Sequence, residues 1–401
     1  MTYATSLKRF TAQAFALVCG ALALAAPIPL QAQDAPVRIG YAISRTGPFA
    51  GGAQVSQEPN YILWAEQVNA AGGLDVKGTK RKIELIGYDD RSEVETAVRT
   101  FEKLMTSDKV DLILPPWGSG MNFAVAPLAS KHGYPLIGPT ALSRKLLDMK
   151  LPYFFAILQQ PEPMMGALAD LLAARGVKTA AVVYMDDLFG LENIAALEPA
   201  LKAKGIQIVE KKSYPLGVKD LSPVLKDIKA KNPDAFLGMT YPPDTILVSN
   251  QSREIAFNPK VFYASVGTAF QLYKNVMKDN TEGVMGMGSW NAKTSPGARA
   301  YFDAHVAKFK KEPDRWASGH AWASLQILQQ AVAKVGLDRK ALRDTIAGGE
   351  FDTIIGKIRF KDGENTSIPG TVSQWQKGEF EVVWPAQRAT APVIFPKPNW
   401  K

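Results

Sequence analysis

The sequence has 401 residues, of which 46% are apolar and 21% are charged, so it can bury a core in one large domain or two and is not a disordered chain. The formal net charge is +9, but the basic residues are dispersed along predicted helices, which argues against a nucleic-acid partner. Cys19 is the only cysteine and the three histidines are far apart in the sequence. We therefore expect no metal site and no cofactor.

The N-terminus is typical of a secretory signal peptide. Two basic residues precede an apolar run from Phe10 to Ala26, and a proline-containing stretch then offers a small residue at Ala32. The sequence therefore predicts a signal peptide over residues 1–32, cleaved near Ala32, and a periplasmic protein. A transmembrane anchor is the first alternative, but about 17 apolar residues make a poor span. A lipoprotein acylated at Cys19 is the second.

From residue 37 the pattern alternates short apolar runs with amphipathic helices. The strands predicted in the first series are 37–43, 82–88, 110–114 and 135–138. Between the second and third strands, Ser92 and Glu95 predict a capping box at the start of a helix. An earlier helix is expected to end at Gly72-Gly73, because paired glycines are typical of helix C-termini.

A second series with the same alternation begins near residue 161. Its predicted strands are 179–184, 206–209, 235–239 and 260–263. Three helices are expected within 296–347. A terminal pair of strands follows at 358–360 and 371–375, and the second of them continues as a hairpin through Lys377-Gly378 into a strand at 380–384. Such alternation predicts an α/β fold with two doubly wound parallel sheets.

Loops that follow strands are where ligands bind in open parallel sheets, since helix N-termini there present free N–H groups. The segment Trp117-Gly118-Ser119-Gly120 follows the third strand and opens a helix. Its glycines allow close approach of the backbone, and Ser119 can donate a hydrogen bond. A plain strand–helix turn is the alternative, although Trp117 must then pack against some other surface.

Catalytic and nucleotide motifs are absent from the sequence. The Gly118-Ser119-Gly120 segment has Phe123 where a dinucleotide fingerprint needs its third glycine, and it lacks the leading glycine of a hydrolase elbow. No Walker A motif exists. The acidic pairs Asp89-Asp90 and Asp186-Asp187 are interpreted as helix caps and loop hydrogen bonds, because neighbouring residues on a strand point in opposite directions. We therefore expect no catalytic residue and no enzymatic activity.

Seven short segments in a fixed order carry a resemblance to a known family. They are Thr46-Gly47-Pro48, Asn69 to Gly73, Tyr88-Asp89-Asp90, Pro115 to Gly120, Ile137 to Ala141, Asp186 to Gly190 and Glu282-Gly283. With them, the chain from residue 36 to about 385 resembles the Leu/Ile/Val-binding protein family of periplasmic solute receptors. Each segment alone is weak evidence, whereas their common order behind a signal peptide is specific.

The resemblance implies the type I periplasmic-binding fold, in which two doubly wound lobes are joined by a three-strand hinge and enclose the ligand between them. The three crossovers are expected near 156–161, 286–290 and 366–370. The implied N-terminal lobe is 36–158 plus 288–367, and the implied C-terminal lobe is 159–287 plus 368–390.

The resemblance also implies which residues hold a ligand. The first lobe would bind a carboxylate through two loops, Trp117, Gly118 and Ser119 in one and Thr140, Ala141 and Leu142 in the other. The second lobe would contribute Phe189, Thr240, Tyr241 and the loop from Tyr263 to Ser265. Phe49, in the loop after the first strand, is a further candidate from the sequence itself, so that five of the cleft candidates are aromatic: Phe49, Trp117, Phe189, Tyr241 and Tyr263.

One position departs from the family pattern. Amino-acid-binding relatives carry an acidic residue in the last of these loops, where it pairs with the ligand's ammonium group, whereas this chain has Ala264-Ser265. A buried ammonium group without a counter-charge is unfavourable by several kcal/mol. We therefore expect an aromatic carboxylate, with an amino acid as the alternative. Asp186, Asp187 or Asp244 would then have to supply the counter-charge.

The predicted function is that of a monomeric receptor that delivers a small carboxylate ligand to the membrane permease of an ABC importer. A sensory ligand-binding domain of the same fold is an alternative, and it would be expected to continue into a membrane helix or a signalling domain. An exported hydrolase is disfavoured because no motif supplies a nucleophile with a histidine and an acid.

Overall fold

The computed structural model describes residues 35–401. The predicted signal peptide, its cleavage site near Ala32 and the alternative lipid anchor at Cys19 lie outside the described residues. Among the described helices, none is both long enough and apolar enough to cross a bilayer.

The first stretch of chain contains seven strands and five helices. Its strands are β1 (Val37–Ile43), β2 (Leu74–Val76), β3 (Thr79–Arg81), β4 (Ile83–Asp89), β5 (Leu112–Ile113), β6 (Leu136–Gly138) and β7 (Phe154–Ala156). Its helices are α1 (Ala50–Ser56), α2 (Glu58–Ala70), α3 (Val94–Thr106), α4 (Ser119–Lys131) and α5 (Arg144–Asp148).

The middle of the chain repeats the alternation. Its strands are β8 (Thr179–Met185), β9 (Gln207–Tyr214), β10 (Ala235–Met239), β11 (Val261–Ala264) and β12 (Met285–Gly286). Its helices are α6 (Pro161–Ala174), α7 (Leu188–Ala203), α8 (Ser222–Ala230), α9 (Pro242–Glu254) and α10 (Gln271–Met277).

The last stretch begins with the three predicted helices, α11 (Pro296–Phe309), α12 (Ala317–Val335) and α13 (Arg339–Gly348). Five strands follow: β13 (Glu350–Thr353), β14 (Gly356–Lys361), β15 (Glu364–Asn365), β16 (Val372–Gln376) and β17 (Glu379–Trp384). Short 3-10 helices cover Gly267–Ala269, Lys278–Thr281 and Ala386–Arg388.

The strands divide between two lobes. The first lobe holds a sheet of order β4-β1-β5 and a second of order β13-β14-β15-β7-β6, and the second lobe holds one sheet of order β17-β16-β12-β11-β10-β8-β9. Parallel pairs form the centre of each lobe, such as β1 with β4 and β8 with β10. The predicted α/β class is confirmed. All five residues of β10 are buried, as expected for a strand that helices cover on both faces.

The sheets are mixed where the sequence predicted parallel ones. In the second lobe, β16 pairs antiparallel with β12 and forms a hairpin with β17. The two strands predicted as a terminal pair lie in different sheets, because β14 pairs with β13 and β15 in the first lobe. The hairpin itself forms as predicted, with Lys377 and Gly378 both at positive φ in its turn.

The chain passes between the two lobes three times, after β7, after β12 and after β15. Residues Pro36–Lys401 nonetheless form one compact unit. The predicted lobe boundaries stay a prediction, and the three passages support it, since each falls beside a predicted crossover.

One predicted cap is wrong. Glu93, not Ser92, is the residue before the first turn of α3, and no side chain caps this helix. Ser92 instead has a positive φ of 61°. Its Oγ donates to the carbonyl oxygen of Thr46 at 2.7 Å and accepts from the backbone N–H of Phe49 at 3.1 Å. Ser92 therefore holds the loop between β1 and α1, which leads into the candidate site.

Candidate ligand-binding site

Four aromatic side chains meet where the strand-end loops of the two lobes face each other, and we call them the cleft aromatic cluster. Phe49 and Trp117 come from the first lobe, and Phe189 and Tyr241 from the second. The ring centroids of Trp117 and Tyr241 are 5.3 Å apart, and those of Phe49 and Tyr241 are 5.7 Å apart. Phe189 stacks on Tyr241 at 5.0 Å. The second-lobe ring of Tyr241 thus packs directly on both first-lobe rings.

The position of Trp117 is set by its neighbours on α1. Its indole Nε1 donates to Ser56 Oγ at 2.8 Å, and the side chain is 2% exposed. Gly52 lies under the ring, where a Cβ atom would stand 2.2 Å from a ring carbon. Any larger residue at position 52 would push the indole away. Trp117 is therefore a rigid wall of the site.

Ser119 connects the two first-lobe loops that the sequence predicted for a carboxylate. Its Oγ donates to the carbonyl oxygen of Leu142 at 3.0 Å and accepts from the backbone N–H of Leu142 at 3.1 Å. Ala141, in the same loop, accepts a hydrogen bond from Gln160 Nε2 at 3.2 Å.

Thr140 makes the second link between these loops. Its Oγ1 accepts from the backbone N–H of Gly118 at 3.0 Å and donates to Gln57 Oε1 at 3.1 Å. Gly118 has a φ of 95°, a conformation that favours glycine. Both hydroxyls predicted for the ligand thus hold the loops to each other in this structure.

The second-lobe loops are joined in a similar way. Ser265 Oγ accepts from the backbone N–H of Thr240 at 2.8 Å and donates to its carbonyl oxygen at 3.0 Å. The side chain of Thr240 bonds Thr245 Oγ1 at 2.6 Å. Tyr263 lies on β11 and is 1% exposed; among the described residues, no ring contact links it to the cleft aromatic cluster. Tyr263 is thus a buried residue of β11, and Ser265 holds the backbone of Thr240.

Asp187 brings a carboxylate to the cluster. The hydroxyl of Tyr241 donates to Asp187 Oδ2 at 2.9 Å, while Asp187 Oδ1 caps α7 by accepting from the backbone N–H of Gly190 at 2.9 Å. Burial raises the pKa of Asp187 above its ordinary value, and these two hydrogen bonds oppose that rise. The cap was predicted from the Asp186-Asp187 pair and is confirmed for Asp187.

A second carboxylate lies behind Tyr241. Asp244 Oδ2 accepts from the backbone N–H of Tyr241 at 3.0 Å and from the hydroxyl of Tyr214 at 2.7 Å. Burial also raises the pKa of Asp244, against the effect of these donors. The second-lobe half of the site is therefore acidic.

Ion pairs across the lobes were not found from the sequence. Arg144 on α5 of the first lobe bonds Glu162 of the second lobe at 3.1 Å and Glu364 of its own lobe at 2.9 Å. Its backbone N–H donates to Glu192 on α7 at 2.9 Å. These four residues come from distant segments, so no local pattern could have indicated the contact.

Two buried glutamines were also missed. Gln57 Nε2 donates to Tyr61 and to the carbonyl oxygen of Pro115 at 2.6 and 2.7 Å. Gln159, in the first crossover, is fully buried, and its amide finds no hydrogen-bond partner among the described residues. A buried amide of this kind calls for a partner. The pair Gln159-Gln160 at a predicted crossover was the available signal for Gln159.

The arrangement defines a class of protein: a two-lobed α/β binding protein in which aromatic rings from both lobes meet between the lobes and two carboxylates lie on the second-lobe side. Residues 36–379 match the family model described as periplasmic binding protein. The chain belongs to this family, and the resemblance to its Leu/Ile/Val-binding members is confirmed.

Individual relatives agree with this assignment. Leu/Ile/Val-binding protein homolog 7 of Brucella abortus is 24% identical over 396 residues, covering 92% of this chain and 97% of the relative. The structure is similar to a branched-chain amino acid transporter substrate-binding protein of Streptococcus pneumoniae in complex with isoleucine, with a TM-score of 0.76, 22% identity and coverage of 87% and 100%. It is also similar to an ABC transporter solute-binding protein of R. palustris in complex with benzoate, with a TM-score of 0.78, 18% identity and coverage of 90% and 97%.

Proposed function

We propose that this protein is the periplasmic receptor of an ABC importer and that it captures a small aromatic carboxylate between its lobes without catalysing a reaction. The observation that carries the proposal is the cleft aromatic cluster, in which both lobes supply flat apolar walls. Aromatic rings stack on flat ligands and gain about 0.5–1.5 kcal/mol per pair beyond the burial of apolar area. The R. palustris relative that binds benzoate supports this ligand class.

The carboxylate of the ligand would bind at the start of α4. No side chain caps this helix, because its N-cap residue is Gly118. The first N–H groups of a helix lack intrahelical partners and favour an anion. Ser119 and Thr140 would then orient the loops around the carboxylate, since both hydroxyls already bond to other groups of the protein.

An amino acid is the second candidate ligand, and Asp187 is the observation that favours it. Its carboxylate lies beside Tyr241 in the cleft, where it could pair with an ammonium group. The relative that binds isoleucine supports this alternative. Two features oppose it. Ala264-Ser265 carries no acid, and a raised pKa at Asp187 reflects an environment that disfavours the charged carboxylate.

Capture requires the lobes to separate and close. Trp117 and Tyr241 pack on each other across the cleft, so a ligand can enter between them only after the lobes part. A monomer with a hinge of three strands permits this motion, and the closed form would be recognised by the permease of the importer. A saturating ligand should decrease the radius of gyration in small-angle scattering.

Native mass spectrometry of freshly purified protein tests the proposal. We expect a bound molecule whose mass corresponds to an aromatic acid, and we expect Trp117→Ala, purified in parallel, to carry less of it. A bound leucine, isoleucine or valine would overturn the ligand class while leaving the receptor function intact. If no molecule co-purifies, direct titration of the ligand-free protein with benzoate and with leucine decides between the same two outcomes.

A further inference from the structure

The start of α5 makes three contacts that cross from the first lobe to the second. Arg144 is the first residue of this helix, and its guanidinium bonds Glu162 on α6 through Nε and Nη2, each at 3.1 Å. Its backbone N–H donates to Glu192 on α7 at 2.9 Å. The amino group of Lys145 lies 3.9 Å from the other carboxylate oxygen of Glu192. We call Arg144, Glu162 and Glu192 the interlobe latch.

Arg144 is held in place by its own lobe. Its Nη1 and Nη2 bond the two carboxylate oxygens of Glu364 on β15 at 2.9 and 3.2 Å. Paired contacts of this kind fix the plane of a guanidinium group. The side chain therefore keeps its orientation when the second lobe moves away, and only its bonds to Glu162 have to break.

Glu192 depends on the first lobe for its partners. Its side chain is 7% exposed, and within residues 35–401 its carboxylate bonds only the N–H of Arg144 and faces only the amino group of Lys145. Hydrogen bonds with one ionised partner are roughly twice as strong as those between neutral groups. Both partners belong to the first lobe, so separation of the lobes removes both of them. The closed form is therefore the state in which Glu192 is paired.

The latch is continuous with one of the two first-lobe loops predicted to bind the ligand. Residues 140–142 lead directly into Ser143, whose Oγ caps α5 by accepting from the backbone N–H of Leu146 at 3.3 Å. The backbone N–H of Ser143 donates to Gln160 Oε1 in the first crossover at 3.1 Å. Hydrogen bonds thus connect the hinge with the start of α5. An ordered ligand loop therefore places the N–H of Arg144 where Glu192 accepts from it.

We propose that the interlobe latch retains the captured ligand: Arg144 and Glu192 hold the lobes closed without touching the ligand and set how slowly it leaves. The inference rests on the proposed receptor function and applies to either ligand class. A broken latch favours the open form whatever occupies the cleft, so it speeds release and leaves entry into the open cleft unchanged. The latch residues are positioning residues, since no side-chain hydrogen bond within the described chain joins them to the cleft aromatic cluster.

Stopped-flow displacement measures release directly, with benzoate or leucine as the probe, whichever the protein binds. Glu192→Ala should release the probe about fivefold to tenfold faster, because the N–H of Arg144 then has no acceptor in the closed form. Its association rate should change by less than about twofold. Glu192→Gln keeps an oxygen that accepts from this N–H and should restore most of the slow release. Glu162→Gln weakens a more exposed pair and should speed release by only about twofold.

Glu198→Ala is the matched control. Glu198 lies on the same helix as Glu192, but it pairs with Lys211 inside the second lobe, so this variant should release the probe at the rate of the unmodified protein. An unchanged release rate in Glu192→Ala would overturn the proposal. Equal acceleration in Glu198→Ala would overturn it too, as would release from Glu192→Gln that is as fast as from Glu192→Ala.

If neither probe binds, both proposed ligand classes fail, and the latch is tested without a ligand. Small-angle scattering of the full chain then compares the unmodified protein with Glu192→Ala at about 0.01 M and about 1 M sodium chloride, where charges are weakly and strongly screened. The latch predicts a smaller radius of gyration for the unmodified protein at low salt and a narrower difference at high salt. Equal radii at low salt would overturn the latch.

Discussion

The two halves of the cleft use the same device to hold their loops and differ in charge. In the first lobe, Ser119 Oγ bonds both the N–H and the carbonyl oxygen of Leu142. In the second lobe, Ser265 Oγ bonds both the N–H and the carbonyl oxygen of Thr240. Each serine thus joins one strand-end loop to its neighbour, and each hydroxyl uses its donor and an acceptor position on the backbone.

The two halves differ in the charge of the side chains near these loops. The first-lobe half carries neutral groups around Trp117, namely Thr140 and Gln57. The second-lobe half carries Asp187 and Asp244 around Tyr241. A buried hydroxyl in a cleft loop can therefore stabilise the loop rather than bind the ligand. The charge of the preferred ligand therefore depends on two places: the start of α4, which favours an anion, and Asp187, which could pair with a cation.

The largest effect is expected from removing the first-lobe wall. Trp117→Ala deletes a buried indole that packs on Phe49 and Tyr241, and it should lower the free energy of unfolding by about 3–5 kcal/mol. Ligand affinity should fall by about 1–3 kcal/mol as well. Urea denaturation and titration calorimetry measure the two losses. Trp117→Phe, which keeps a ring, should retain most of both, and unaltered affinity in Trp117→Ala would show that Trp117 is a packing residue only.

The second effect tests whether the two serines are equivalent. Ser119→Ala and Ser265→Ala should each lower the free energy of unfolding by about 1–3 kcal/mol. Ser119→Ala leaves the N–H and carbonyl of Leu142 without this partner. Ser265→Ala leaves the N–H of Thr240 unpaired, whereas the Thr240 carbonyl keeps the N–H of Val266 as a donor.

Ser107→Ala, at an exposed position, should change the free energy of unfolding by less than about 0.5 kcal/mol. If Ser119→Ala lost far more free energy of ligand binding than free energy of unfolding, the Ser119 hydroxyl would bind the ligand directly. That result would contradict its role as a group that only holds the loop.

The smallest effect concerns the acidic half. Burial raises the pKa of Asp187, so the folded state holds this proton more tightly than the unfolded state does. The stabilisation from this proton is present at low pH and is lost as the pH rises through the folded pKa. Asp187→Asn removes this titratable group. As the pH rises from about 4 towards 7, the free energy of unfolding of the variant should therefore increase relative to that of the unmodified protein. Urea titrations at several pH values measure this increase.

The same variant separates the two ligand classes. Asp187→Asn should leave the affinity for an aromatic carboxylate unchanged within about threefold, a difference of less than about 0.7 kcal/mol. An amino acid would lose its counter-charge and bind at least tenfold more weakly. If the stability of Asp187→Asn relative to the unmodified protein instead decreased with rising pH, the raised pKa of Asp187 would be contradicted, whatever the ligand is.

The sequence predicted the elements well and the site in part. Period-two and apolar patterns located eight of the eleven strands from β1 to β11 and missed the short strands β2, β3 and β7. The apolar signal is clearest in β10, whose residues are all buried. The sheet in which β14 and β16 lie was missed, since pairing between distant strands has no local signature. Four of the five aromatic cleft candidates, Phe49, Trp117, Phe189 and Tyr241, lie together in the structure, and their role in binding stays a prediction. Tyr263 lies in the core, because it sits within β11 and not in the loop that follows.

Other parts of the site depend on tertiary contacts. The bridge from Arg144 to Glu162 and Glu192 joins residues that are 18 and 48 positions apart and lie on three different helices, so no pattern within one element connects them. Gln57 lies at the junction of α1 and α2, and its neighbours Ser56 and Glu58 are also polar, so the sequence did not single it out. Asp187 was considered as a cap and as an ammonium partner, and only the structure brings it to the hydroxyl of Tyr241.

The most direct test of the ligand class is a thermal-shift comparison of ligand-free protein with benzoate- and cinnamate-type acids on one side and leucine, isoleucine and valine on the other. A ligand present at about 100 times its Kd stabilises the fold by about 2.7 kcal/mol. The aromatic cleft and the absence of an acid at Ala264-Ser265 predict shifts with the aromatic acids that exceed those with the three amino acids. Shifts with leucine, isoleucine or valine and none with the aromatic acids would contradict the account.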